Sequence, residues 1–223
     1  METLVNARMH RRNFQKLALA LALPAPLALA AFGGRSAGIT LAQSTEPGDT
    51  PVLAPTPECG DDDDLTATLP QTAGPFYSPD TPERRSLLEP GMTGTRLVVT
   101  GYVYSTECQP IPGALLDFWQ ADDAGVYDNE GYRLRGHQFA DEDGRFELET
   151  IVPGLYPGRT RHIHVIAQAP EQPPLITQLY FPDEPANASD AIFNSALVMD
   201  VQEAEDGEVA LFTFVLTGDS PPA

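Results

Sequence analysis

A chain of 223 residues with a net charge of −19 and one lysine, Lys16, has little to offer a polyanion. That balance excludes nucleic acid and anionic membrane surfaces as natural partners. Two cysteines, Cys59 and Cys108, are too few for a thiolate metal site, although in an oxidising compartment they can pair with each other.

The first stretch, "MHRRNFQKLALALALPAPLALAAFGG", has a basic head, an apolar run and then small residues. Pro24 and Pro26 break the run, so it reads as a secretory signal rather than a membrane span. The order Arg-Arg-Asn-Phe-Gln-Lys is that of a twin-arginine signal, the plainer alternative being an ordinary secretion signal that carries two arginines. Residues 1–42 are therefore expected to be a signal, with cleavage near Ala30 or Ala42, and the protein to be periplasmic or extracellular. Residues 43–66, rich in Pro, Thr and Asp, have little to bury and read as a flexible acidic linker. Residues 67–223 are then the folded domain, large enough for one real core.

Within that domain the signals are those of strands. "TRLVVTGYVY" is β-branched and aromatic, and "GALLDFWQA" follows a turn-rich "STECQPIP". "GRFELETI" alternates after "DEDG", which reads as a hairpin turn because the other positions of a calcium loop are missing. "RHIHVIAQA", "LITQLYF" and "VALFTFVLT" complete the set, and "ASDAIFNSALV" is the one helical candidate. Short strands between Gly/Pro turns predict an all-β fold, a β-sandwich with irregular loops around a metal site.

The metal is argued from side chains. Three of the four histidines lie in the domain, and His162 and His164 stand two apart on a predicted strand, so they project to one face. His137 sits in an arginine- and glycine-bearing stretch that reads as a loop. Tyrosine narrows the choice: a phenol binds a metal well only when the ion is a strong Lewis acid, and ferric iron is hard and highly charged. Tyr156 lies in "PGLYPG", an exposed turn, and Tyr127 in "DDAGVYDNEGY". Tyr132, five residues past Tyr127, is its rival. A zinc or copper site is the alternative, disfavoured by the two tyrosines and by the lack of an HExxH motif. Arg133, Arg135, Arg159 and Arg161 flank these segments and read as a local positive zone suited to an anionic ligand.

Taken together, "QTAGPFY", "PIPGALLDFWQADDAGVY", "DGRFELETIVPGLYP", "RTRHIHV" and "LITQLYF", in that order, resemble the intradiol ring-cleavage dioxygenases, non-haem iron(III) enzymes. The resemblance implies that Tyr127 and Tyr156 match the two tyrosinate ligands, Tyr156 being the one displaced by substrate, and that His162 and His164 match the histidine ligands. It implies that Arg159 stabilises charge developing on the substrate and that Gln178 lies near the iron. The expected substrates are a catechol-type aromatic diol and O2, and the product a muconate-type diacid. Members of the family commonly form homo-oligomers.

Departures from the family pattern concern substrate rather than iron. The stretch between Tyr127 and Tyr156 is shorter than in familiar members. Gly158 stands where a tryptophan is common, and Thr160-Arg161 replaces Pro-Ala. Arg133, Arg135 and Arg161 are the candidates for a substrate-carboxylate anchor. The competing functional class is a non-catalytic secreted β-sandwich that binds a ligand through the same aromatics and histidines.

Overall fold

Alternating apolar and polar residues make each strand of this chain two-faced, and the computed structural model of the protein shows which face each sheet buries. Residues 65–217 are described; the expected signal and all but the last two residues of the expected linker lie outside them. Among the described residues nine strands form two sheets: β1 Arg96–Ser105, β2 Leu115–Trp119, β3 Arg135–Phe139, β4 Arg145–Ile151, β5 His162–Gln168, β6 Leu175–Tyr180, β7 Asp200–Ala204, β8 Gly207–Leu211 and β9 Phe214–Leu216. One sheet has the order β4-β1-β8-β7, with β9 also paired to β1, and the other β3-β2-β5-β6.

Leu97, Val99 and Val103 of β1 and Phe146 and Leu148 of β4 face Leu116 and Phe118 of β2, Ile163 and Val165 of β5 and Leu179 of β6 in one core. Because strand parity is strict, filling that core with Ile163 and Val165 sends His162 and His164 to the outer face of the four-stranded sheet. That face is not solvated. It carries a second aromatic cluster of Trp119, Ala121 and Tyr127, packed by Ala73, Phe76, Tyr156 and Ile166.

Three connections cover it from one end. Residues 120–134 join β2 to β3, 152–161 join β4 to β5, and 181–199 join β6 to β7. A fourth cover is the segment before β1: the Gln71 amide donates to the Ile176 carbonyl (2.7 Å) and the Thr177 hydroxyl to the Leu69 carbonyl (2.8 Å).

Three expectations are corrected here. The stretch "ASDAIFNSALV" forms no α-helix; Pro185–Ala188 and Ser195–Leu197 are single 3-10 turns, too short and too interrupted by Asp190 and Asn194 to propagate. His137 lies not in a loop but on β3, opposite Asp117 of β2. The "DEDG" turn is tight, with the Gly144 amide donating to the Asp141 carbonyl (3.0 Å), but β3 and β4 pair in different sheets, so it is a corner between layers rather than a hairpin. Cys108 is disulfide-bonded, and Cys59, the chain's other cysteine, lies outside the described residues.

Candidate metal centre

The register of the four-stranded sheet builds the floor of the centre. Arg135, Trp119, His164 and Gln178 are cross-strand neighbours in one row, and His162 is paired with Tyr180 in the next. The Trp119 indole lies flat on the His164 ring, with centroids 4.8 Å apart and planes 4° apart. A β5 histidine pair alone could rotate about its side-chain torsions; this packing holds His164 in one orientation.

His162 is fixed differently. Its Nδ1 lies 2.6 Å from the Thr160 carbonyl, which accepts the ring N–H and leaves the Nε2 lone pair free. That Nε2 is 3.2 Å from the Tyr127 hydroxyl and 3.2 Å from His164 Nε2. Burial depresses both imidazoles, His162 to about 4 and His164 well below its ordinary value, so both are neutral at pH 7 and present lone pairs. Three donors converging at such separations suit neighbouring ligands of one ion, given metal–nitrogen bonds of about 2.0–2.1 Å.

Tyr127 tests the kind of ion. Burial pushes its phenol far above the ordinary range, only partly opposed by the charges of Arg159 and Arg135. Such a phenol ionises only beside a cation of high charge, so the donor set fits a hard, strongly acidic metal and fits a softer divalent ion poorly. Tyr156 stands edge-on to Tyr127, with centroids 5.8 Å apart, and is half-buried at the rim. Phe76 stacks on Tyr127 (4.5 Å, 18°) and meets Tyr156 edge-on (5.3 Å).

The two tyrosine-bearing loops touch backbone to backbone. Gly125 has φ +80°, and a Cβ there would overlap the Leu155 carbonyl; a Cβ at Gly154 would overlap the Gly125 amide. Asp122 organises the first loop, its Oδ1 accepting from the Ala124 and Val126 amides (3.0 and 2.9 Å). Its carbonyl accepts from the amides of Gly125 (3.0 Å) and Gly154 (2.7 Å), which staples the two loops together.

Arg159 and Gln178 form the other wall. Arg159 Nη2 donates to Gln178 Oε1 (2.7 Å), and Gln178 Nε2 donates to the Thr72 carbonyl (2.8 Å). The charge of Arg159 bears on Tyr127, His162, His164 and Tyr180 alike.

Several expected residues lie elsewhere. Tyr132 is exposed, its hydroxyl donating to the Pro79 carbonyl (3.1 Å), away from the converging donors. The expected positive zone is reduced to Arg159 and Arg135, whose charges both bear on Tyr127 and His164. Arg133 faces Asp122 (3.7 Å), Arg161 pairs with Glu184 (2.8 Å) and donates to the Pro153 carbonyl, and Arg135 is fully buried. Arg135 donates through Nε and Nη2 to the Asp128 carbonyl (3.1 and 2.6 Å) and through Nη1 to the Phe76 carbonyl (2.6 Å). Arg161 is engaged by a carboxylate and Arg135 by backbone carbonyls, so neither is free to anchor a substrate, whereas Arg133 is partly exposed and only loosely paired. Sequence reasoning missed Trp119, Phe76, Thr160, Tyr180 and Asp190. Trp119 was discoverable as the only tryptophan, two residues past a buried strand centre, and Tyr180 as the strand residue two past Gln178; Phe76, Thr160 and Asp190 owe their places to loop packing that no periodicity encodes.

A model of the family described as dioxygenase matches residues 72–218. The hydroxyquinol 1,2-dioxygenase of Rhizobium sp. (strain MTP-10005) is 32% identical over 166 residues, 61% of this chain and 56% of that protein. The catechol 1,2-dioxygenase of Candida albicans is 31% identical over 148 residues, 54% of this chain and 49% of that one. This chain thus spans about half the length of these two curated relatives. Among solved structures, the dioxygenase domain of a dioxygenase carbohydrate-binding protein fusion from the cellulolytic bacterium Streptomyces sp. SirexAA-E is 55% identical. It superposes with a TM-score of 0.67 over 68% of this chain and 99% of that one. Hydroxyquinol 1,2-dioxygenase from Pseudomonas putida DLL-E4 is 28% identical, with a TM-score of 0.61 over 69% of this chain and 67% of that one.

Proposed function

Given that this chain belongs to the intradiol ring-cleavage dioxygenase family, we propose that Tyr127, Tyr156, His162 and His164 hold ferric iron and that the protein opens the ring of a catechol-type aromatic between its two hydroxylated carbons. Both atoms of O2 enter the product, a muconate-type diacid, so no external reductant is consumed. The observation that carries the reading is the meeting of the Tyr127 hydroxyl and the two imidazole Nε2 atoms at 3.2 Å separations in a buried site.

Ferric iron, when bound, supplies the Lewis acidity that ionises phenols and a catechol at neutral pH and the redox partner that couples the diol to O2. The chain does the rest. Trp119 and the Thr160 carbonyl orient the two imidazoles, and the aromatic cluster of Trp119, Tyr127, Phe76 and Tyr156 keeps bulk water away from them. Tyr156, the more exposed of the two tyrosines, is placed to take one of the protons that the diol sheds. Arg159, held rigid by Gln178, offers a preorganised positive charge where negative charge grows on the ring.

The test is to supply the iron-loaded protein with catechol and hydroxyquinol under labelled O2. The expected result is stoichiometric O2 uptake with both labelled atoms in one ring-opened diacid. No uptake with either diol, or a single labelled atom in the product, would overturn the reading.

We extend the proposal to export. The basic, apolar and small-residue order of residues 1–42 supports secretion by the twin-arginine route, which carries folded, metal-loaded proteins. Among the described residues no helix is long and apolar enough to cross a membrane.

A further inference from the structure

One carboxylate reaches both walls of the centre from behind. Asp190 lies between β6 and β7, and its side chain is 1% exposed. Its Oδ2 accepts from Arg159 Nε (2.8 Å) and from the Thr160 amide (2.8 Å), and its Oδ1 from the Ile192 amide (3.0 Å). Thr160 is the residue whose carbonyl fixes the His162 tautomer, and Arg159 is the cation facing the phenol and imidazoles. Burial pushes the Asp190 carboxyl up, but the Thr160 and Ile192 amides and the Arg159 guanidinium outweigh it and hold the group below its ordinary value.

We propose that Asp190 is a positioning residue for ring cleavage: it sets the Arg159 guanidinium relative to the converging phenol and imidazoles. The inference rests on the dioxygenase reading of the centre. A carboxylate on Nε leaves the Nη2 edge of the guanidinium turned to Gln178, so the cation is gripped on two sides and cannot drift towards bulk water. A charge fixed in this way does not reorganise as the substrate gains charge.

The segment around Asp190 has other anchors, which separates positioning from scaffolding. Asn187 accepts from the Thr160 hydroxyl (2.6 Å) and donates to the Phe181 carbonyl (3.0 Å), and Glu184 pairs with Arg161 (2.8 Å). Neither touches Arg159. Loss of the Asp190 charge therefore leaves Arg159 held by Gln178 alone while the connection stays docked.

The experiment is a double-mutant cycle on the iron-loaded full chain, with Asp190→Asn, Arg159→Ala and the pair. Asp190→Asn is expected to lower kcat by between about 10- and 100-fold, with KM and iron content within about twofold of the parent. In the Arg159→Ala background the same change is expected to cost less than about twofold. Equal losses in both backgrounds, or parent-like turnover of Asp190→Asn, would overturn the proposal. A second readout needs neither turnover nor a variant: in the metal-free parent, nitrogen-15 NMR should show the Arg159 Nε–H protected from solvent exchange. Rapid exchange there refutes the grip on Arg159 even if Asp190→Asn does not fold. The two readings fail differently, since a parent chain without turnover but with a protected Nε–H removes the dioxygenase assignment and leaves the clamp.

Discussion

His162 shows how one residue links fold, metal and pH. Burial lowers its imidazole from 6.5 to about 4, so between these values the unfolded chain binds a proton that the folded one refuses. The metal-free protein should therefore be most stable above about pH 6.5 and lose, through His162 alone, on the order of 3 kcal/mol as the pH falls towards 4, with the depressed His164 adding to the loss. Denaturant melts of the metal-free chain at pH 7 and 4.5 measure this directly, and His162→Gln should reduce the slope while the His164 share remains. A flat profile in the parent would mean that His162 is not buried as described. Arg159 gives the complementary prediction. Arg159→Ala should retain iron while kcat falls by roughly 10²–10³-fold, because the cation acts on developing charge and not on the metal. Metal analysis beside turnover separates the two, and loss of iron together with activity would reassign Arg159 to metal retention.

At the scale of elements, the centre depends on loops meeting closely. Gly125→Ala puts a side chain into the Leu155 carbonyl at a φ of +80°, so it should destabilise the fold by more than about 1 kcal/mol and displace Tyr127 relative to Tyr156. A thermal melt and the visible spectrum of the iron-loaded variant check both parts; an unchanged melt would mean that the loops are not packed backbone to backbone. This is also where the sequence stops being legible. Strands β1, β2, β4, β5 and β6 announce themselves through alternation, and two histidines at i and i+2 on one of them put both imidazoles on one face. β3 and β7, "RGHQF" and "DVQEA", carry too few apolar residues to register: β3 buries Arg135 and Gln138 in place of apolar side chains, and β7 is a mostly exposed sheet edge. Asp190 and Thr160 are invisible for another reason: their roles come from hydrogen bonds across a sequence separation of 30. The arginines misled because a sequence displays charge but not the carboxylates and carbonyls that consume it.

Across the whole molecule, net charge bears on partners and the proposed signal on location. A chain of −19 with a single lysine, Lys16, within the expected signal disfavours polyanionic partners. Replacing Arg11 and Arg12 by lysine should block export through the twin-arginine route and leave the precursor inside the cell, as fractionation followed by immunoblotting would show. Unimpaired export would assign the signal to the general secretory route. The sandwich itself is the ordinary device of two sheets closing one core; what distinguishes this molecule is that the outer face of one sheet is buried a second time, by loops that bring phenols to imidazoles.

We propose that those groups bind ferric iron through tyrosinate. Metal analysis and a visible spectrum of the purified protein, before and after catechol is added without oxygen, decide it. The expected result is about one iron per chain and a broad charge-transfer band that shifts when the diol binds, and that fades in Tyr127→Phe. A protein that stays colourless after loading with ferric iron would contradict it.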